Sequence, residues 1–426
     1  MKTDWSSLWK KEDWWAVWLG FITLALAATG VIAWLPKIGA WTTDITKAFP
    51  VGSEYLIALG LGLFVLAAIG VIGVREDLKL FALGFPVVFF FSLLSLVIAK
   101  QETIGKEYGL EFALWALLLG LLINNTIGTP KWLLAAARTE LFIKIGLVLL
   151  GAEILFNKIL VAGVYGMLQA VIVVSSVFIF SYVLATRVFK IDQRFAAVLS
   201  SAVSICGVSA AIAAGGAVKG DSKHTSYTIS LVLLLAIPML VFMPFIAKAL
   251  GLPSAVAGAW IGGTIDTTPA VVAAGALYSK EAMEIASIVK MSQNVLIGVA
   301  AFILALIFAF KSGSNPGNEK PSILEIWYRF PKFVVGFIIA SIVFSTLVPI
   351  LGSKSVDSII SITSGLRSWW FAMAFVSIGL TTKFSELIKI EKGKPFISFT
   401  IAQIFNIFLT LALAYVIFGG LFQPAQ

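Results

Sequence analysis

An aspartate interrupts an apolar stretch of this chain, in a setting where a carboxylate is costly. Asp266 lies in the run Gly-Gly-Thr-Ile-Asp-Thr-Thr-Pro at residues 262–269, and the sequence on both sides is apolar. A carboxylate at membrane depth usually faces a charge partner or a water-filled cavity. The small hydroxyl residues and the proline predict a helix that breaks in mid-membrane. Asp266 is therefore expected to carry a proton, to bind sodium, or to be the counter-ion of a buried base.

Two basic residues in apolar segments are the candidate charge partners of Asp266. Lys290 stands one helical turn before Gln293 and Asn294, so these side chains share a face that could line a polar path. The alternative is a lysine that extends its stem to the membrane edge. Arg367 precedes Ser-Trp-Trp. It is expected either to bind an anion with its two-pronged guanidinium or to lie at the membrane interface beside an aromatic belt.

A second polar run, Ser-Ile-Cys-Gly-Val-Ser at residues 204–209, has the same small and hydroxyl character. Where a helix restarts after a break, its unpaired N–H groups and partial positive charge suit an oxyanion. We therefore predict a site for a small anion near both runs, although such residues also serve close helix packing alone. The candidate substrate-binding residues are Ser204, Cys206, Gly207, Ser209, Thr264, Thr267, Thr268, Asn124, Asn125, Gln293 and Asn294.

Some amide side chains have a simpler explanation beside the functional one. Asn124 and Asn125 either line the site or cap the short apolar segment that they end. Gln403 and Asn406, a helical turn apart in the last apolar segment, are predicted to form hydrogen bonds between helices.

The elements that must position these residues are transmembrane helices. Hydrophobic residues make up 59% of the chain and charged residues 12%, whereas soluble domains have about 45–50% and about 25%. A bilayer core of about 30 Å requires about 20 apolar residues per helix. The sequence therefore predicts an all-α polytopic membrane protein with about 13 transmembrane segments. They are residues 14–35, 54–74, 79–99, 109–124, 139–157, 163–187, 194–218, 226–249, 254–278, 284–310, 331–351, 357–381 and 396–419.

The charge pattern and the first residues predict the orientation in the membrane. Lys and Arg are more frequent in the loops that are cytoplasmic if the N-terminus is inside. This asymmetry favours a cytoplasmic N-terminus and a C-terminus outside. Because the basic residues lie between the apolar segments, the net charge of +9 is explained by a membrane protein and does not indicate nucleic-acid binding. No small-residue cleavage site is apparent near residues 14–35, which we interpret as a retained span rather than a signal peptide. The tryptophans between positions 5 and 18 are expected to anchor it at the membrane surface.

The aspartate run has a weak copy earlier in the chain. Residues 124–130 share Thr, Ile, Thr and a nearby proline with residues 262–269 at a spacing of 138, and Gly128 replaces the aspartate. If each run opens a repeat of five spans, the second repeat is inverted relative to the first because five is odd. The predicted parts are an anchor with three extra spans at 1–108 and two inverted five-helix repeats with broken helices at 109–253 and 254–426.

Two other internal alignments compete with this scheme. One pairs residues 205–215 with 265–275 at a spacing of 60, and the other pairs residues 151–156 with 379–384. Inverted repeats with interrupted helices recur in secondary transporters, which bind substrate near the membrane midplane where the breaks meet. The sequence leaves the choice among the three alignments open.

Five short stretches of the chain resemble one known family. They are residues 204–207, 262–266, 293–298, 329–337 and 375–380. Together they resemble the bacterial sulfate exporter family over roughly residues 117–418. The resemblance implies an inner-membrane transporter whose fold is similar to that of sodium/proton antiporters and bile acid symporters. It also implies a core of crossed broken helices, a panel of other helices, and a homodimer through that panel.

Two features depart from that family, and both concern the substrate more than the fold. Thr267, Thr268 and Pro269 follow the aspartate, where relatives have a threonine followed by a small residue. The second departure is the tryptophan-rich N-terminal extension.

These residues together predict secondary active transport of a small anion, sulfate or sulfonate-like, coupled to protons or sodium by alternating access. Two alternatives use the same residues: a cation/proton antiporter based on Asp266, and an anion channel. Catalysis is not expected, because the one histidine and the one cysteine lie in different contexts. No cofactor, metal centre or nucleic-acid partner is predicted, and no Gly-rich ATP loop is found. The expected partners are the anion, a proton or sodium ion, bilayer lipid and a second copy of the chain.

Overall fold

The computed structural model describes residues 7–107, 112–154, 156–311, 327, 330–383, 385 and 393–420. Within these residues the chain is helical and forms no β-strand, which confirms the all-α prediction for this part of the chain. The helices are α1 (Ser7–Lys10), α2 (Glu12–Ala28), α3 (Ser53–Gly73), α4 (Leu78–Ala99), α5 (Phe112–Thr126), α6 (Lys131–Ala136), α7 (Thr139–Glu153), α8 (Phe156–Val183), α9 (Gln193–Ser201), α10 (Gly207–Ala217), α11 (Ser222–Ala249), α12 (Ser254–Thr264), α13 (Thr268–Tyr278), α14 (Lys280–Lys311), α15 (Lys332–Leu351), α16 (Ser353–Thr381) and α17 (Lys394–Phe418).

Aspartates in the loops begin three of the long helical segments. Asp77 accepts hydrogen bonds from the backbone N–H of Lys79 at 2.9 Å and of Leu80 at 3.1 Å, where α4 starts. Asp192 and Asp221 cap α9 and α11 in the same way. A capping carboxylate satisfies N–H groups that the first helical turn leaves unpaired. Polar loops therefore fix where the apolar helices start.

Nine of the described helical segments are long and apolar enough to cross a membrane. The predicted count of 13 is not confirmed, although a helix or helix pair stands at each predicted segment. α2 has 17 residues and α5 and α7 have 15 each, so they are shorter than a full span. The predicted segment 254–278 is divided into α12 and α13, of 11 residues each.

The chain folds into two compact units. Unit 1 comprises residues 1–159 and 332–384, and unit 2 comprises residues 160–331 and 385–426. Each of the two predicted repeats therefore contributes helices to both units. The inverted five-plus-five scheme itself stays a prediction.

Unit 1 is built around α16, which packs against α5 and α7. Gly120 of α5 and Gly379 of α16 bring the two backbones into direct contact. The expected tryptophan anchor forms a ring cluster, with Trp9 stacked on Trp18 at 5.9 Å and Trp14 stacked on Trp18 at 5.8 Å between ring centroids. Trp5 lies outside the described residues.

Unit 2 contains two interrupted helices. A π-helical turn at Ala202–Cys206 separates α9 from α10, and an extended stretch at residues 265–267 separates α12 from α13. The interruption predicted around Asp266 is therefore present. Its predicted counterpart at residues 124–130 joins α5 to α6 in unit 1. Within unit 2, the second break, next to the one at Asp266, is the π-helical turn that follows Ser201.

Candidate functional site

The break between α12 and α13 leaves carbonyl groups without helical partners, and side-chain amides satisfy them. The chain leaves the helix at Ile265, which is extended at φ −73° and ψ 132°. Gln293 of α14 donates to the Gly263 carbonyl at 3.0 Å, and Gln403 of α17 donates to the Thr264 carbonyl at 3.0 Å. The last carbonyls of a helix need such partners when water is absent. The break is therefore held open by neighbouring helices.

The break between α9 and α10 is held in a similar way. Lys290 of α14 donates its ammonium to the Ile205 carbonyl at 2.6 Å. The amide of Asn406 on α17 donates to the Val203 carbonyl at 3.3 Å. A cation at the carbonyl end of a helical segment is favoured by the helix dipole. Lys290 thus acts as a charged cap inside the apolar region.

The two breaks touch each other. Gly207 lies against Asp266, since a Cβ added at position 207 would come within 3.2 Å of the Asp266 Cβ. Cys206 Sγ lies 3.9 Å from Thr268 Oγ1. The Asn406 amide also reaches the Thr264 carbonyl at 3.4 Å, so one side chain bonds to both interrupted helices. The start of α10 and the start of α13 therefore converge on the aspartate.

Asp266 and Lys290 are the two charges of this site, and each is 1% exposed. Lys290 donates to Ile205 and, at 3.0 Å, to the Gln293 side-chain oxygen, rather than to the aspartate. Asp266 Oδ2 accepts no hydrogen bond from any described residue. The opposite charges attract each other through space without forming a bonded pair. Burying charges without direct pairing is costly, which makes a role beyond packing the default hypothesis.

Unit 2 brings together most of the residues that the sequence singled out. Seven surround the two breaks with Asp266: Lys290, Cys206, Gly207, Thr264, Thr268, Gln293 and Asn294. The Ser204 hydroxyl instead donates to the Ser200 carbonyl of its own helix at 2.7 Å. Ser209 is exposed, and Thr267 is half-buried as the N-cap residue of α13. Among the described residues, none of these three hydroxyl groups forms a hydrogen bond with Asp266.

Three candidates lie in unit 1 and have partners there. Asn124 accepts a hydrogen bond from the Thr129 N–H at 3.2 Å, in the turn that follows α5. Asn125 donates to the Leu121 and Thr382 carbonyls. Arg367 binds Glu153 with two hydrogen bonds. Lys290 is therefore the basic candidate that lies beside Asp266 within unit 2.

Three buried amide side chains contribute to the site although the sequence gives them no functional role. Gln403 and Asn406 form the predicted hydrogen bonds between helices, and those bonds end on the breaks themselves. Gln169 of α8 was not singled out, yet its amide donates to the Ala259 carbonyl of α12 at 2.9 Å and is fully buried. A lone glutamine in an apolar helix was the available signal, because an amide at that depth needs a partner.

Comparison with known proteins gives the family. The family model described as "Conserved hypothetical protein 698" matches residues 83–398. The chain is 41% identical over 395 residues to the UPF0324 membrane protein RB9488 of Rhodopirellula baltica, covering 91% of this chain and 72% of that relative. The chain belongs to the UPF0324 membrane protein family. Like the relatives so named, it is a membrane protein, as its apolar helices also indicate.

Other UPF0324 proteins match at lower identity. The UPF0324 membrane protein NE0724 of Nitrosomonas europaea is 29% identical, with 100% of this chain and 99% of that relative covered. The UPF0324 inner membrane protein YeiH of Escherichia coli is 28% identical over 281 residues, covering 64% of this chain and 77% of that relative. These UPF0324 names state no substrate, so sulfate and the coupling ion remain proposals.

Proposed function

We propose that this chain is a secondary active transporter that moves a small anion of the sulfate or sulfonate class together with protons or sodium. We place it in the bacterial inner membrane with a cytoplasmic N-terminus. One observation carries the proposal: two helix breaks meet around Asp266 and Lys290, which are buried and share no hydrogen bond. Substrate and ion sites of secondary transporters are commonly formed by such discontinuous helices.

Positive groups around the breaks support the choice of an anion. The Lys290 ammonium has three N–H groups, and two of them donate to Ile205 and Gln293. One donor is left for an anion oxygen. The N-terminal ends of α10 and α13 add partial positive charge and unpaired N–H groups. These donors suit an oxyanion better than a neutral solute.

Asp266 supplies the coupling in this proposal. The Asp266 Cβ lies against Gly207 at the start of α10, so a charge on this carboxylate opposes an anion bound there. A proton or a sodium ion that neutralises Asp266 removes this repulsion. Binding of the cation and of the anion therefore favour each other, and the coupling is reciprocal. The ion gradients then set the direction of transport.

Transport in liposomes tests the proposal. The cargo is first chosen by thermal shift among sulfate, thiosulfate, a sulfonate, a carboxylate and bicarbonate, because a bound ligand raises the melting temperature. We expect the purified full chain to accumulate that anion against its gradient when an inward proton or sodium gradient is imposed. Asp266→Asn is expected to abolish the dependence on the driving ion.

The matched control is Asp357→Asn, an aspartate exposed on α16, which should leave accumulation unchanged. If Asp266→Asn transports at full rate with its gradient dependence intact, Asp266 is not the coupling group. Flux that runs only down the anion gradient would instead indicate a channel. Both outcomes contradict the proposal as stated.

Cation/proton antiport is the second candidate, and one observation favours it. Asp266 itself stands beside Gly207 at the start of α10, where an anion would otherwise be stabilised. In that case the site carries a cation and no oxyanion. Sodium efflux driven by a pH gradient in liposomes without a permeant oxyanion would establish this alternative, and its absence would dismiss it.

A further inference from the structure

Three buried oxygen atoms that have no hydrogen-bond partner among the described residues belong to side chains at the C-terminal end of α12. They are Gln169 Oε1, Thr264 Oγ1 and Gln403 Oε1, on side chains that are 0%, 1% and 3% exposed. We infer that they form a binding site for a monovalent metal cation of the sodium class. The inference deepens the proposed function, on which it rests, by naming the coupling ion and its ligands.

The positions of the two glutamines follow from their amide nitrogens. Gln169 donates to the Ala259 carbonyl at 2.9 Å, and a Cβ added to Gly263 would lie 2.6 Å from that nitrogen. Gln403 donates to the Thr264 carbonyl at 3.0 Å. A carbonyl can only accept, so these bonds fix which end of each amide is the oxygen. Both amide groups therefore lie at the last turns of α12.

The chemistry of the three oxygens selects a cation. All three can accept, and both amide oxygens can do nothing else. An unpaired acceptor in a dry interior is costly, and a cation satisfies several acceptors at once. The C-terminal end of a helix also carries partial negative charge. Half-helix C-termini and unwound carbonyls are known to coordinate sodium in transporters built from broken helices.

The local charge favours a monovalent ion over a divalent one. Asp266 follows Thr264 by two residues, so their Cα atoms are at most about 7 Å apart. This single carboxylate is already close to the positive charge of Lys290. Among the described residues, no group of three or more His, Cys, Asp or Glu side chains could hold a metal ion. A divalent or transition metal would lack the anionic ligands that it requires.

The direct test is sodium binding by the purified full chain, with no transport involved. The melting temperature is measured by tryptophan fluorescence while sodium chloride replaces choline chloride at constant ionic strength. We expect a saturable rise with sodium that choline does not produce. A response with no sodium dependence would overturn the inference and would leave ordered water as the partner of the three oxygens.

Thr264→Val is the decisive variant, because it removes a hydroxyl that has no partner and keeps the side-chain shape. We expect it to leave the melting temperature in choline unchanged or higher. Loss of one ligand of about 1.4 kcal/mol should raise the half-saturating sodium concentration about tenfold. Thr264→Ser keeps the hydroxyl and should keep the sodium response, which guards against a merely structural effect.

Thr228→Val is the matched control in unit 2. Thr228 is also fully buried, but its hydroxyl donates to the His224 carbonyl at 2.9 Å. We expect a lower melting temperature in both salts and an unchanged half-saturating concentration. If the half-saturating sodium concentration is unchanged in Thr264→Val, Thr264 is not a ligand and the proposed site is wrong.

This experiment separates the inference from the proposed function. Sodium binding that depends on Thr264, together with no anion transport, would support the site and contradict the anion proposal. Proton-driven anion transport without sodium binding would support the anion proposal and contradict the sodium site.

Discussion

Each unit of the protein buries a pair of opposite charges in apolar helices, and the two pairs are handled differently. In unit 1, Arg367 Nε donates to Glu153 Oε1 at 2.6 Å and Nη2 donates to Oε2 at 3.1 Å. In unit 2, Asp266 and Lys290 are each 1% exposed, yet no hydrogen bond joins them. The first pair is bidentate and the second is open.

The difference separates charges that stabilise the fold from charges that share no hydrogen bond and that we propose bind an ion. A bidentate arginine–carboxylate pair satisfies both partners and fixes α7 against α16. In unit 2 the lysine is bonded to a helix break and the aspartate keeps a free oxygen. Charges that are buried without mutual bonds are expensive, and they are expected where ions bind. Three sets of substitutions can break or sharpen this comparison.

The largest effect is expected for Arg367→Met in unit 1. The substitution leaves the Glu153 carboxylate, whose side chain is 1% exposed, without its bidentate partner. Removing one partner of a buried ion pair costs about 3–5 kcal/mol. We expect a corresponding fall in the free energy of unfolding, measured by thermal or denaturant unfolding in detergent.

The double variant Glu153→Gln with Arg367→Met provides the control for that measurement. It leaves no unpaired charge, so most of the loss should be recovered. A double variant as unstable as the single one would mean that the arginine acts through packing rather than through its charge.

A smaller difference is expected between two glycines at close helix contacts. A Cβ at Gly379 would meet the backbone of Leu117 and Leu121, whereas a Cβ at Gly207 would meet the side chains of Val232 and Asp266. Side chains can shift and backbone cannot, so Gly379→Ala should cost about 1–3 kcal/mol and Gly207→Ala less. Gly207→Ala should instead impair coupling. Equal losses in unfolding experiments would contradict this distinction.

The smallest change in stability is expected for Asp266→Asn. The substitution breaks no hydrogen bond of Asp266 Oδ2, so the free energy of unfolding should change by less than about 1 kcal/mol. This small change should accompany the loss of coupling in liposomes. A loss of stability as large as that of Arg367→Met would show that Asp266 is a structural counter-ion of Lys290.

The candidate site was only partly predictable from the sequence. An acid beside small hydroxyl residues and a proline was enough to locate the break at Asp266, because few other structures tolerate that composition among apolar helices. The sequence also predicts a helix start near Cys206, and α10 begins at Gly207. The repeat that matches the Asp266 run to residues 124–130 stays a prediction. Gly128 of that run adopts φ +83° in the turn between α5 and α6. Glycine is favoured there because it tolerates a positive φ, so its presence needs no functional explanation.

The break that contacts Asp266 in unit 2 begins at Ala202, while the choice among the three internal alignments stays open. Short matches of small residues cannot rank such alignments, because Gly, Ser and Thr recur wherever membrane helices pack closely. The contact between Gly207 and Asp266 shows which two breaks meet, and it joins residues far apart in the chain.

The sequence by itself determined that the chain is helical, apolar and membrane-spanning. The thickness of the bilayer sets the length of an apolar segment, and the absence of water there requires a helix. It also identified the charged residues that needed a reason. Only the tertiary structure decided which of them are paired: Arg367 with Glu153, and Lys290 with the break beside an unpaired Asp266. The physical reason is that pairing depends on distances of about 3 Å between side chains on different helices, and no local pattern encodes them.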